Sequence, residues 1–184
     1  MTTAFRDSVR FILREQTAAA HARVDARFSR LDLTRGDGLA RFLGASRVAL
    51  GALEPVLAAA PGLPPLPSRL ALIDADLAAL AAPAPSGHPA APPAPGDPLG
   101  AAYVVAGSAL GARVLRRRWA RSDDQAVRKA GRFLTFTGLD GYWDAVQAAL
   151  RGVPQEAGRI AGLVRGADWA FAVYETAIGE SGRE

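Results

Sequence analysis

Ile12-Leu13-Arg14-Glu15-Gln16-Thr17-Ala18-Ala19-Ala20-His21-Ala22-Arg23-Val24-Asp25-Ala26-Arg27-Phe28 places its larger apolar side chains three and four residues apart, and the same side extends back through Phe5 and Val9. That period is helical. Moving outward, Leu39, Phe42, Leu43, Ser46, Leu50, Leu53 and Leu57 mark a second helix, in which Pro55 predicts a kink or a restart. A shorter helix carries Leu66, Leu70, Ile73, Leu77 and Leu80. Asp97-Pro98 reads as an N-cap followed by proline at the first helical position, opening a helix over 98–120. Ser122 with Gln125 three residues later reads as a capping box that opens a helix over 123–137. Tyr142, Trp143, Val146 and Leu150 mark a short helix, and Ile160, Leu163, Val164, Ala167, Phe171, Tyr174 and Ile178 mark the last. No convincing period-two segment appears, so the expected fold is all-α.

The 184 residues predict a single domain, 1–184, in which a Pro-rich stretch at 83–98 forms a surface loop. Seven of the chain's 13 prolines lie there, a composition that cannot sustain a helix. The absence of cysteine excludes a disulfide scaffold, a thiolate metal site and a thiol nucleophile. Two histidines exclude a multi-imidazole centre. A metal held by imidazole would therefore rest on one residue or arrive already held, as iron does in haem. Net charge is +4, with Lys129 the single lysine, which suits an anionic cofactor or an acidic protein partner as well as nucleic acid. No run approaches 18 apolar residues and the N-terminus lacks a signal-peptide core, so a soluble, cytoplasmic protein without a membrane partner is expected.

Two places invite chemistry. On a continuous first helix Arg14 and His21 would nearly coincide around the axis, with Thr17 between them. Asp25, four residues after His21, is spaced to take the second imidazole N–H, and the flanking alanines leave a surface on which a flat ligand can lie. The plainer reading is a half-buried histidine and a solvated arginine. In the second place, Leu99 to Leu115, Gly107 and Gly111 sit mid-helix, where each glycine costs about 0.5–1 kcal/mol relative to alanine. Close packing against another helix is the favoured reason, ahead of approach to a bulky flat ligand. Elsewhere, Asp74 and Asp76 fall on different helix faces, His88 lies within the Pro-rich loop, and Arg116-Arg117-Arg118-Trp119 reads as a helix C-terminus or a dock for an acidic partner.

Leu13-Arg14-Glu15-x-Thr17-x-x-x-His21-x-x-x-Asp25, followed by Tyr103-Val104-x-x-Gly107-Ser108-x-Leu110-Gly111, resembles the haem oxygenases, most closely their short bacterial branch associated with bacteriophytochromes. Leu53-Glu54-Pro55, Asp74-Ala75-Asp76-Leu77 and the Ala170–Glu175 segment extend the similarity over most of the chain. The resemblance implies a haem oxygenase-like helical bundle with His21 as the iron ligand. It also implies a distal helix through Gly107, Ser108 and Gly111, and haem contacts from Arg14, Thr17, Asp25 and Tyr103, with Arg132 a further propionate candidate. The implied reaction opens haem to biliverdin, carbon monoxide and ferrous iron, using O2 and electrons from an external donor such as an acidic ferredoxin. A bacteriophytochrome is the implied acceptor of biliverdin, and no nucleic acid is involved. Two departures bear on turnover: Ala106 stands where this branch usually has glutamate, and Ala112 where a further glycine often follows. The alternatives are a haem-binding or haem-trafficking protein without turnover, and a haem-free helical interaction protein of the same fold.

Overall fold

The computed structural model describes residues 8–63, 65–85 and 96–180, and every regular element among them is helical. In chain order these are α1 (Val9–Gln16), α2 (Ala18–Phe28), α3 (Gly36–Ala58), α4 (Leu70–Ala79), α5 (Pro98–Trp119), α6 (Gln125–Lys129), α7 (Arg132–Thr135), α8 (Asp140–Arg151) and α9 (Ala157–Glu180). The C-terminal helix α9 is the axis: α5, α3, α2 and α1 all pack against it. Outside that group α8 lies on α5 and α1, and α4 bridges α3 to α7. The buried apolar side chains form one contiguous cluster.

The expected continuous N-terminal helix is divided at Thr17, whose hydroxyl donates to the Leu13 carbonyl at 2.7 Å and so competes with the helical ladder. Ser8 caps α1 by accepting from the Phe11 N–H, and Phe5, on the predicted apolar side, lies outside the described residues. Pro55 produces no restart: α3 runs on to Ala58, because a proline one turn from the end removes a single ladder bond. The third predicted helix begins at Leu70 rather than near Leu66. Glu54 of α3 fixes the approach to it, accepting from the Arg69 N–H at 3.2 Å and from the Ser68 hydroxyl at 2.6 Å. Asp97 and Pro98 do open α5, the Asp97 carboxylate accepting from the Leu99 N–H.

The helix expected over 123–137 is instead two short pieces. At the break the Trp119 indole lies where a Cβ on Gly131 would be, and its N–H donates to the Val127 carbonyl at 2.7 Å. Wholly buried Asp76 then accepts from the Arg132 and Phe133 N–H groups at 3.1 and 2.9 Å, capping α7 from another helix. Asp124, not Ser122, is the N-cap of α6, while the Ser122 hydroxyl reaches the Thr34 carbonyl at 2.7 Å. The centre of the Pro-rich stretch, with His88, lies outside the described residues.

Helices α5 and α9 cross with their backbones in contact. A Cβ on Gly100 would overlap the Leu163 carbonyl, and one on Gly166 would overlap the Asp97 carbonyl. The Asp97 N–H donates across the crossing to the Gly162 carbonyl at 3.0 Å, and its carboxylate pairs with Arg159 at 2.6 Å. By length and composition α5 is apolar enough to cross a membrane, but here it packs on α9, α8 and α3. Because no rotamer change relieves a backbone clash, Gly100→Ala should lower unfolding free energy by about 1–3 kcal/mol or more. Urea denaturation measures this, and an unchanged midpoint would contradict the crossing.

Candidate functional site

The candidate residues fall on two strips of side chains. The first strip runs along α1 and α2. Arg14 is exposed; Thr17 is buried with its hydroxyl committed to backbone. His21 stands out into solvent, with 61% of its side chain exposed, and its Nε2 lies 3.3 Å from the Asp25 carboxylate. That contact orients the ring and leaves Nδ1 as the other nitrogen for a ligand unless the ring turns over. Ala18 and Ala22 beside the imidazole are exposed and small, so nothing bulky on α2 crowds its neighbours in sequence. Below the imidazole lies Phe171 of α9, ring centroids 5.4 Å apart and tilted by 31°. Glu175, one turn further, accepts from Arg23 Nε at 3.2 Å and pairs with Arg27 at 3.7 Å, clamping α2 to α9.

The second strip runs along α5. Tyr103 is partly buried with its ring 6.0 Å from Trp143 of α8. Burial pushes the Tyr103 phenol above its ordinary range, and the charges of Arg10 and Arg14 oppose the shift, so both guanidinium groups lie on this side of the bundle. Arg10 sits over the Trp143 ring at 5.6 Å and donates to Gln147 at 3.3 Å. The Ser108 hydroxyl donates to the Val105 carbonyl at 2.7 Å. Phe171 and Tyr174 are three residues apart on α9 and therefore neighbours on its surface. Of this pair, Phe171 supports His21.

Gly107 and Gly111 correct the expectation of close helix packing. A Cβ on Gly107 would make only ordinary contact with Trp143, at 3.8 Å, and one on Gly111 would meet nothing within 4 Å. Neither glycine is needed to bring two helices together; the glycines that do so are Gly100 and Gly166. Among the described residues, a Cβ on Gly111 would stand in open space.

The structure therefore brings Tyr103 and Gly107 to Trp143, over which Arg10 lies, and sets His21, paired with Asp25, over Phe171. It does not bring Arg132 to them. The Arg132 guanidinium is held by Asp76 at 3.2 Å and by the Lys129 carbonyl, where α7 meets α4. Asp74 and Asp76 serve different partners, Arg47 and Arg132, as their separate faces imply. Buried Ala106 has no side chain with which to reach a cation. Arg10 was absent from the sequence-based candidates, although its place one turn before Arg14 is the signal that finds it.

No group of three or more His, Asp or Glu able to hold a metal ion occurs among the described residues. A flat ligand held by one imidazole fits the donors present: an exposed, carboxylate-oriented histidine and two arginines, Arg10 and Arg14, for anionic substituents. A separate cleft of about 750 Å³, lined by Leu63, Leu99, Val153, Arg159 and Arg165 among others, lies around the start of α5 and contains none of these residues. No protein-family model matches the sequence, and no curated protein matches it. Since Gly111 sits in a helix and touches nothing, Gly111→Ala should stabilise the ligand-free protein by about 0.5–1 kcal/mol. A destabilised variant in thermal denaturation would show that this glycine is structural after all.

Proposed function

We propose that this protein is a haem oxygenase that binds haem through His21. The observation that carries the reading is the pair Gly107 and Gly111: two costly mid-helix glycines that no packing among the described residues requires. Bare backbone there is explained by a bulky planar ligand that must come close. When bound, haem supplies the oxygen-activating iron and is itself the substrate, opened to biliverdin, carbon monoxide and ferrous iron.

The chain's own residues bind and orient. The Asp25 carboxylate keeps the His21 ring turned and raises its basicity as a ligand. Arg14, with Arg10 a turn away, offers bidentate donors to carboxylate substituents and so sets the in-plane angle of the ligand. Phe171 supports the imidazole from below, and Glu175 keeps α2 seated on α9 so that the imidazole stays over it. Arg113, Arg116 and Arg117 at the end of α5 form no ion pair among the described residues, and they suit an acidic electron donor of the ferredoxin class. Biliverdin would pass to an acceptor such as a bacteriophytochrome.

A second reading, haem binding without turnover, is favoured by Ser108. Its single hydroxyl hydrogen is committed to the Val105 carbonyl rather than directed to the bare face. Hemin titration followed by reduction under oxygen separates the readings. A Soret band should form, vanish in His21→Ala, and weaken in affinity by roughly 10–100-fold in Asp25→Ala. Reduction should then replace it with biliverdin absorbance. A Soret band that survives reduction unchanged establishes the binding-only reading, and a band indifferent to His21→Ala removes both.

A further inference from the structure

The C-terminal end of α5 reaches the C-terminal end of α2. Arg118, in the last turn of α5, donates from Nη2 to the Leu31 carbonyl at 2.7 Å and to the Ser29 carbonyl at 3.1 Å. Ser29 is the C-cap of α2, so these carbonyls lie at and beyond the helix end, where the helical ladder supplies no donor. Two helices that meet at their C-termini bring together two partial negative charges, and a guanidinium between them offsets both. Ser122, just past α5, adds a second link by donating to the Thr34 carbonyl at 2.7 Å.

The acceptors belong to a firmly held turn. Asp32 closes it by accepting from the Thr34 N–H at 3.0 Å and the Thr34 hydroxyl at 2.7 Å, and Leu31 and Leu33 are buried on either side. A Cβ on Gly38 would overlap the Asp32 carbonyl, so the turn lies directly on the start of α3. At its other end α2 begins from the break at Thr17. Both α2 and α5 pack on α9. Helices packed through side chains nevertheless cross at angles that vary by about 15–20° from one case to another, so seating on α9 alone leaves the separation of α2 from α5 open. A cap that served only α5 would keep to the last carbonyls of α5; this guanidinium leaves them for another helix.

We infer that Arg118 is a positioning residue that sets the distance between α2, which carries His21, and α5, which carries Gly107 and Gly111. It acts through the end of α2, and any swing of that helix about its C-terminus carries the imidazole with it. The tie stands without haem, whereas its effect on a bound ligand rests on the proposed function.

The chain has no cysteine, so Ala19→Cys on α2 and Val114→Cys on α5, both at exposed positions, take nitroxide labels in the full-length, ligand-free protein. Pulsed electron paramagnetic resonance should give a narrow label separation that shifts and broadens in Arg118→Met. Arg121→Met, which removes an exposed cation just past the same helix end, should leave it unchanged. With hemin added to the unlabelled protein, Arg118→Met should lower affinity about tenfold, the loss of one charge-assisted hydrogen bond, and shift the iron–imidazole stretching band. An unchanged separation or an unchanged band marks an ordinary helix cap and overturns the proposal, as does an equal change in Arg121→Met. Should Arg118→Met not fold, Arg118→Gln, neutral and too short to span both carbonyls, takes its place. A parent protein with no His21-dependent Soret band removes the proposed function, while the label separation still decides the tie.

Discussion

The contact on which this structure depends is the backbone-to-backbone crossing of α5 and α9. Gly100 and Gly166 let the two chains meet with no side chain between them, and Asp97 locks the meeting point. It does so with its N–H to Gly162, its carboxylate to Leu99 as a helix cap, and an ion pair to Arg159. A crossing of this kind fixes angle and depth more tightly than interdigitated side chains do, because a rotamer change cannot relieve a backbone clash. Every functional candidate on α5 is measured from that point. Gly107 lies two turns beyond it and Gly111 three.

Glycines on one helix thus do two unlike things. Gly100 is bare because another backbone occupies the space; Gly111 is bare although nothing does. The first removes a clash and stabilises the fold, whereas the second only lowers helix propensity. Stability lost without a packing return is the mark of a surface kept clear for something else. Phe171 lies beneath the imidazole of His21, and its helix is held to α2 by Glu175.

Buried polar groups do much of the joining between helices. Glu54 and Asp76 both spend their carboxylates on backbone N–H groups of other segments, which settles where α4 and α7 begin. Arg69 differs, since its backbone is used and its side-chain fork is not. The same interior therefore contains acids with full sets of partners and one base without.

Apolar spacing of three and four residues by itself determined an all-helical chain, because a 3.6-residue period admits no other regular structure. It also determined the start of α5, since Asp97-Pro98 caps a helix through contacts two residues away. His21 and Asp25 were legible as a pair for the same local reason: they stand one turn apart. What the sequence could not decide were the breaks at Thr17 and Gly131, where a hydroxyl and a distant indole outweigh helical propensity. Nor could it show which glycines touch a neighbour. The four-residue spacing Gly162–Gly166 was as visible as Gly107–Gly111, yet only the tertiary structure distinguishes contact from open space, since both look identical along a helix and differ only in what the rest of the chain brings to face them.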